Sequence, residues 1–321
     1  MVSVIIPVYN GEGYIKTCLD SLFSQVTADF EVIAVNDGSK DGSSALLHEY
    51  AAAHANMRVV DKPQNEGLPQ AKKSGIAEAR GEYVAFLDVD DWVDPNMYTL
   101  LAQKAEESHA DLVFCDYVEE YPERSVPVHS HFQKGQTFPM SGADAMRYVN
   151  RRQAMFPYPW NKLYRTELLR AVEFPTGNFV GEDYYVLRQL LDLAKTVDYV
   201  DFTGYHYVLT SNSMSRGGYS ANTVLAYNNY EKGYRAILDK HPEQKRDVTH
   251  YLITEYMAMI VAMGRNKTYD RDLIRKVKRF VRRGLLGFLF ASYVPFTMKG
   301  SALALTISYR LLIAMYRLIA K

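Results

Sequence analysis

Three aspartates crowd the end of a predicted buried strand. The stretch FLDVDDW, residues 86–92, holds Asp88, Asp90 and Asp91. Like charges this close repel one another, and a buried carboxylate is costly unless a cation or hydrogen bonds compensate it. Carboxylate oxygens are ligands that Mg²⁺ or Mn²⁺ selects, and such an ion bridges one or two carboxylates to substrate phosphates. The cluster predicts a divalent metal that holds a nucleotide diphosphate. The alternative is that Asp90 and Asp91 cap the helix near Pro95.

Strand-like and helix-like segments alternate over the part of the chain that contains this cluster. The predicted strands cover residues 2–9, 30–37, 57–61, 82–88 and 111–117. Near-continuous apolar strands separated by helices are typical of a parallel α/β sheet, whose ligands bind beyond the carboxyl ends of the strands. The sequence therefore predicts that Tyr9, Asp37 and Asp88 converge on one edge of the sheet.

After about residue 120 this alternation fades. SGADAMRYVN indicates a helix with an N-cap, and VGEDYYVLRQLLDLA indicates another helix. TVDYV and GYHYVL predict a pair of strands, and from Tyr219 onward the pattern is mostly helical.

Several functional classes lack their signature in this chain. GEGYIK has two glycines after a strand but a lysine where a dinucleotide fingerprint has its third glycine, which favours a simple turn. No P-loop and no nucleic-acid-binding motif occurs, so no nucleic-acid partner is expected. Cys18 and Cys115 have neither metal-site spacing nor enough partners for a disulfide framework, which fits a reducing cytosol. The amino terminus enters a strand at once, so no signal peptide is expected.

The order of three motifs resembles a known family. PVYNGEGYI, VNDGSKDGS and NEGLPQAKKSGIAEARGEYVAFLDVDDW follow one another as in the family 2 inverting glycosyltransferases, densely over residues 2–95 and more thinly to about 215. The resemblance implies the α/β GT-A fold, a Rossmann-like, mostly parallel sheet with helices on both faces, followed by a helical C-terminal extension. The predicted parts are a nucleotide-sugar-binding half (1–118), an acceptor-binding and catalytic half (119–218), a helical extension (219–264) and a basic tail (265–321).

The resemblance also implies how the donor is held. Pro7 and Tyr9 would cradle the base, with Tyr9 stacking on it, and Asp37 would accept a hydrogen bond from the base. Asp88 would hold the ribose, while Asp90 would ligate Mn²⁺ or Mg²⁺. Two alternatives remain open: the Tyr9 ring fills the edge of the core, or Asp37 forms a local turn with the glycine after it.

The resemblance assigns three more residues to the donor site. Asp91 would orient Asp88 or Asp90 through an indirect contact. Lys72 would contact phosphate, where many relatives have arginine, with a solvated helix face as the alternative. Arg216, in the late loop HYVLTSNSMSRGG, would close over the diphosphate.

The acceptor half offers a base. Glu182 and Asp183 match the acidic pair of the family, in which the aspartate deprotonates the acceptor and Glu182 would position it. The resemblance implies direct displacement with inversion at the anomeric carbon, by one base and without a second nucleophilic carboxylate. The alternative is favourable charge at a helix N-terminus. In PWNKLYR, Trp160 would stack on a sugar and Lys162 would meet phosphate or acceptor, with core and surface roles as their alternatives.

The tail carries a strong charge excess. Residues 265–321 hold 13 basic and two acidic side chains, a net charge of +11, and the rest of the chain carries −11. An apolar helical face lies among these cations, at Leu273, Ile274, Val277, Phe280 and Val281. This amphipathic pattern favours an interfacial helix on an anionic membrane, and the alternative is packing against the catalytic domain or a second subunit.

Together these features predict a metal-dependent transferase that moves a sugar from a UDP-sugar donor to a glycan acceptor. The acceptor is expected to be lipid-linked, in surface polysaccharide synthesis at the cytoplasmic face of the membrane, and a homo-oligomer is left open. A sugar-phosphate nucleotidyltransferase is the enzymatic alternative, although it would show a glycine-rich phosphate loop after the first strand. A non-catalytic scaffold with the same fold is the other.

Overall fold

The computed structural model describes residues 1–26, 29–130, 137–152, 155, 157–176, 181–209 and 221–319. The chain divides into two compact units, each with a hydrophobic core of its own. The first unit comprises residues 1–145, 154–178 and 182–211. The second comprises residues 146–153, 179–181 and 212–321.

The first unit is built on a mixed sheet covered by helices. Its strands are β1 (Val2–Val8), β2 (Phe30–Asn36), β3 (Met57–Asp61), β4 (Tyr83–Phe86), β5 (Trp92–Val93), β6 (Leu112–Tyr121), β7 (Arg124–Val128), β8 (Lys162–Arg165) and β9 (Val197–Val208). Its helices are α1 (Ile15–Phe23), α2 (Ser43–Ala53), α3 (Leu68–Glu78), α4 (Met97–Ser108), α6 (Thr166–Ala171) and α7 (Glu182–Leu193). Helix α5 (Gly142–Arg151) leads into the second unit.

The strand order places the predicted ligand edge. Along the sheet the strands follow the order β3-β2-β1-β4-β8-β6-β9-β5, and β7 pairs with β6. Strands β1 to β4 run parallel to one another, so their carboxyl ends share one edge. Strand β8 is antiparallel to both β4 and β6. The α/β architecture with a helical C-terminal extension is therefore confirmed, and every antiparallel pairing between the described strands involves a strand from β5 to β9.

One predicted element differs from the structure. The two short strands expected in TVDYV and GYHYVL form one continuous strand, β9, that runs parallel to β6. Its register shifts twice, next to Asp116, and this irregularity interrupts the alternation that a regular strand would show. The capped helix predicted in SGADAMRYVN is confirmed, because the amide of Asp144 donates to Ser141 Oγ at 3.1 Å.

The second unit is helical. It contains α8 (Ala221–Lys240), α9 (Lys245–Asn266), α10 (Arg271–Phe290), α11 (Phe296–Ile307) and α12 (Tyr309–Ile319). Among the described helices, none is both long enough and apolar enough to cross a bilayer.

The apolar face that we predicted to enter lipid is occupied within this unit. Ile274, Val277 and Val281 are buried in its core together with residues of α9 and α12, and Leu273 and Phe280 pack against them. The expectation that this face contacts a membrane is therefore wrong. The apolar periodicity of this face reflects packing inside the helical unit itself. The alternative expected from the sequence was packing against the catalytic domain or a second subunit.

Candidate active site

Hydrogen bonds join the loops that follow β1 and β2. The amide of Asn10 donates to Ser39 Oγ at 3.0 Å, and the amide of Lys40 donates to Asn10 Oδ1 at 2.8 Å. Pro7 is buried near the end of β1, whereas the Tyr9 ring, two residues on, is half exposed. An exposed ring on an anchored loop is accessible to a planar ligand. Stacking of a base on Tyr9 stays a prediction.

Asp37 holds the loop that follows β3, residues 62–67, at the same edge of the sheet. Its buried carboxylate accepts hydrogen bonds from the amides of Glu66 and Gly67 at 3.1 and 2.9 Å, and it pairs with Lys62 at 3.0 Å. The next residue, Gly38, has a φ of +70°, and a Cβ there would lie 2.6 Å from the backbone of the facing loop. Asp37 thus fixes the shape of the loop beside the predicted base site, and its direct contact with a base stays a prediction.

The three aspartates of the FLDVDDW stretch differ in their partners. Asp91 is buried, accepting from Tyr205 Oη at 2.7 Å and from the amide of Val208 at 2.8 Å. The carboxylates of Asp88 and Asp90 have no hydrogen-bond or salt-bridge partner from another described residue. Asp88 is half-buried and Asp90 is exposed. The structure therefore leaves two carboxylates open and fully occupies the third.

Burial and neighbouring charges disfavour ionisation of the aspartates that follow β4. Burial raises the pKa of Asp88 to about 6, with Asp183 and Asp90 acting in the same direction and Lys72 against them. Burial and the charges of Asp88 and Asp90 hold the pKa of Asp91 well above its usual range. A cation here would relieve this repulsion.

A divalent metal fits the two open carboxylates. Among the described residues, no group of three or more His, Cys, Asp or Glu side chains is arranged to hold a metal by protein ligands alone. Mg²⁺ and Mn²⁺ bound with substrate phosphates need only one or two carboxylates. Asp90, exposed and unpaired, with Asp88 beside it, meets that requirement, and metal binding stays a prediction.

Lys72 joins the strand-end site to the acidic pair of α7. Its ammonium lies 3.1 Å from Asp183 Oδ1 and 3.7 Å from Glu182 Oε1. Burial alone would lower the pKa of Lys72, but the charges of Asp183, Glu182 and Asp88 raise it above its ordinary value. Burial and the charge of Asp183 raise the pKa of Glu182 to about 7. Lys72 is thus a buried cation that holds the proposed base, a role that its predicted phosphate contact did not include.

A small pocket adjoins this group. Lys72, Glu182 and Asp183 form its polar side. The rest of its lining is mainly apolar, with Phe86, Pro159, Tyr164, Leu169, Phe174, Val186, Leu187 and Leu190. An apolar lining beside ionised groups strengthens their electrostatic interactions. The acidic pair therefore lies where its charge has a large effect.

The structure gives Trp160 and Lys162 interior positions. The Trp160 ring is buried between Tyr158 and Tyr205, with ring centroids 4.9 and 4.2 Å away, so a sugar has no free indole face to stack on. Lys162 is fully buried, and its Nζ donates to the carbonyl of Tyr158 at 2.6 Å and to Asn161 Oδ1 at 2.5 Å. Burial lowers the pKa of Lys162 to about 7. We therefore correct both expectations: these side chains support the site from the core.

Two site residues were not predicted from the sequence. Tyr205 Oη accepts from the amide of Asp88 at 3.2 Å and donates to Asp91, and Lys62 neutralises Asp37. The available signal for Tyr205 was its place in the aromatic run GYHYVL, which by itself indicates only a strand. Arg216 lies outside the described residues.

Comparisons with known proteins agree with this architecture. The sequence model of the family described as "Glycosyl transferase family 2" matches residues 3–172. The protein that carries the name "Putative glycosyltransferase EpsH" in Bacillus subtilis (strain 168) is 34% identical over 222 residues. The matched region is 66% of this chain and 62% of EpsH, so the similarity spans less than two thirds of that relative.

Solved structures share the fold. The crystal structure of S. aureus TarS 1-349 in complex with UDP-GlcNAc has a TM-score of 0.70 at 22% identity, over 98% of this chain and 91% of that one. The mannosyltransferase PcManGT from Pyrobaculum calidifontis, in complex with GDP-Man and Mn²⁺, has a TM-score of 0.57 at 18% identity, over 98% and 83% of the two chains.

Proposed function

Because the chain belongs to glycosyl transferase family 2, we propose that it transfers a sugar from a nucleotide diphosphate donor, a UDP-sugar, to a hydroxyl group of a glycan. The observation that carries the proposal is the pair of open carboxylates, Asp88 and Asp90, close to the Lys72–Asp183 ion pair. The UDP-GlcNAc bound to TarS, a protein of the same fold, supports the choice of donor.

The proposed reaction is a single displacement with inversion. Asp183 takes the proton of the acceptor hydroxyl while the oxygen of that hydroxyl bonds to the anomeric carbon of the donor sugar. At the same time the bond from the anomeric carbon to the diphosphate oxygen breaks. Glu182 orients the acceptor, and Lys72 holds the Asp183 carboxylate in place. Asp88 would hold the ribose of the donor, and Asp90 would hold Mn²⁺ or Mg²⁺. Such an ion stabilises the charge that develops on the departing diphosphate.

The proposed setting is the cytoplasmic face of a membrane, in surface polysaccharide synthesis. The net charge of +11 in residues 265–321 supports peripheral contact with anionic lipid, which would bring the enzyme to a lipid-linked acceptor.

The test is donor hydrolysis in the presence of Mn²⁺ with a panel of UDP- and GDP-sugars. Asp90→Ala and Asp183→Asn are each expected to lower turnover by at least about a hundredfold, because each removes a group that acts in the transition state. Asp183→Asn should still bind UDP, since its side chain is assigned to the acceptor. Glu107→Gln, an exposed acid paired with Lys104, is the matched control and should leave turnover unchanged.

Other outcomes identify the alternatives. Pyrophosphate release from a nucleoside triphosphate and a sugar phosphate would indicate a nucleotidyltransferase. Binding of UDP without hydrolysis or transfer for any donor would indicate a non-catalytic binding protein. A wild-type chain with no Mn²⁺-dependent affinity for UDP or GDP would contradict the proposal.

A further inference from the structure

Helices α10 and α11 expose large apolar side chains to solvent. Leu286 and Phe290 of α10 are 70% and 81% exposed, and Phe296, at the start of α11, is 88% exposed. Leu303 and Ile307 of α11 are also exposed. Single exposed apolar residues are ordinary, but several large ones on two consecutive helices indicate an interaction site. We refer to these five residues as the α10–α11 surface.

The spacing shows that this surface is distinct from the core of the helical unit. Phe296, Leu303 and Ile307 stand at i, i+7 and i+11, on one side of α11, whereas Leu305 of the same helix is buried in the core. Leu286 and Phe290 are one turn apart on α10, away from Val281, which is buried. Each helix therefore has an inner apolar side that is buried in the core and outer apolar residues that are exposed to solvent.

The charge around this surface has one sign. From residue 273 to residue 321 the chain has ten basic residues and no acidic one. Arg279 and Arg283 are exposed, one turn apart on α10, and continue at helical spacing toward Leu286 and Phe290. Neither arginine has a carboxylate partner within the described part of the chain. The outer side of α10 thus passes from unpaired cations to exposed apolar residues.

From these observations we infer that the α10–α11 surface docks on an anionic lipid bilayer. The apolar side chains would enter the boundary between headgroups and acyl chains, and Arg279 and Arg283 would meet lipid phosphates. A second copy of the chain is a poorer occupant, because a symmetric contact would oppose two basic surfaces without any acidic residue in this segment. The inference deepens the proposed function by naming the surface, and rests on it only for the lipid-linked acceptor.

The experiment measures co-sedimentation of the full chain with vesicles. Vesicles of phosphatidylcholine mixed with phosphatidylglycerol are compared with vesicles of phosphatidylcholine alone. The double variant Phe290→Ser/Phe296→Ser should lose at least about tenfold in partitioning onto the anionic vesicles, because both rings leave water only on binding. Val26→Ser, which removes a 66% exposed apolar residue from the first unit, is the matched control and should bind as the wild type does.

The double variant Arg279→Gln/Arg283→Gln should bind anionic vesicles more weakly and with a smaller dependence on salt, since it removes two charges without apolar area. Equal binding of wild type and Phe290→Ser/Phe296→Ser would overturn the inference, as would a wild type that binds neither vesicle. An oligomeric wild type that this variant makes monomeric, by light scattering, would show a subunit interface instead. UDP binding of the wild-type chain is measured separately. A wild-type chain that does not bind UDP would contradict the proposed function but not the docking.

Discussion

Asp88, Asp90 and Asp91 are close in sequence, but their carboxylates meet different surroundings. Asp91 is held by Tyr205 and by the amide of Val208, while the carboxylates of Asp88 and Asp90 have no such partner among the described residues. Tyr205 also accepts from the amide of Asp88, so one phenol group contacts both ends of the acidic turn. A buried, fully bonded carboxylate can fix the backbone from which open carboxylates project. We therefore expect Asp91 and Tyr205 to act as positioning residues.

Replacing Tyr205 by phenylalanine tests this role. Tyr205→Phe leaves the amide of Asp88 without its acceptor and Asp91 with one donor fewer, so the free energy of unfolding should fall by about 1–3 kcal/mol. The donor KM and the Mn²⁺ concentration for half-maximal activity should both rise several-fold. Tyr199→Phe is the control, because Tyr199 Oη makes a similar 2.9 Å bond to buried Asp116. If both variants change KM equally, Tyr205 has a general structural role only.

Replacing Lys72 tests the ion pair at the proposed base. Lys72→Met removes a positive charge that lowers the pKa of Glu182 and of Asp88, which lie at about 7 and about 6 with the lysine present. Both pKa values should rise, so the acidic limb of the pH–rate profile should move to higher pH and activity at neutral pH should fall. Lys72→Arg keeps the charge and should retain the wild-type limb. If the acidic limb of the pH–rate profile is unchanged in Lys72→Met, the charge of Lys72 does not influence the groups that limit the reaction.

The sequence could predict the open carboxylates but not their neighbours. A polar cluster after a buried strand has a known location in a parallel sheet, so Asp88 and Asp90 could be placed from pattern alone. Lys72 is 111 residues from Asp183, and nothing local indicates that α3 and α7 bring them together. The signal that was available is the position of Lys72 on the buried side of α3, between Pro69 and Ile76. Trp160 and Lys162 were misplaced for the related reason that burial depends on packing.

At the scale of elements, patterns predicted which helices and strands exist better than what each of them contacts. The strands of the parallel half fall within a residue or two of their predicted bounds, because continuous apolar runs between helices are a strong signal. In α10 the apolar spacing was correctly identified, but periodicity does not distinguish a core from a membrane. Ile274 and Val277 pack inside the helical unit, and the residues left exposed are Leu286 and Phe290.

A polar network in α9 makes the helical unit sensitive to acid. His250 Nδ1 lies 2.5 Å from Tyr293 Oη, which donates to Asp247 Oδ1 at 2.7 Å, and Arg151 pairs with Asp247. Burial, followed by the charge of Arg246, lowers the pKa of His250 to about 4, against the raising effect of Asp247; Arg151 also lowers it. The unfolded chain, with an ordinary histidine pKa of about 6.5, therefore binds more protons than the folded chain between these values.

Stability should accordingly fall as the pH is lowered. Between pH about 7 and about 5, His250 should account for a loss of at most about 2 kcal/mol in the free energy of unfolding. Urea unfolding at both pH values measures this loss in the wild type and in His250→Gln, which cannot titrate. His48→Gln, at an exposed histidine paired with Asp61, is the control. Equal pH dependence in wild type and His250→Gln would contradict the prediction.

At the scale of the whole molecule, the candidate active site lies in the first unit and the excess of basic residues lies in the second. The matched family region, residues 3–172, lies mostly in the first unit, which also holds the acidic pair of α7. The second unit, which has the excess of basic residues, also contains the α10–α11 surface. Sequence composition revealed this division because charge sums need no knowledge of the fold. It did not reveal that residues 219–264 and 265–321 share one core, since that requires long-range contacts.

Removal of residues 265–321 should therefore unfold the helical unit rather than simply detach a membrane tail. Ile260 and Met263 of α9 are buried against a core that includes Val281 and Leu312, so truncation would expose them to water. Each large side chain exposed in this way costs about 1.5–3 kcal/mol, and several together exceed the stability of an ordinary domain. The truncated chain should be insoluble, or should lose helical circular dichroism beyond the share of the deleted helices. The triple variant Arg279→Gln/Arg283→Gln/Lys299→Gln should keep the wild-type spectrum, because it removes charge without core. A soluble truncated chain with α9 intact would show that the second unit does not depend on its last three helices.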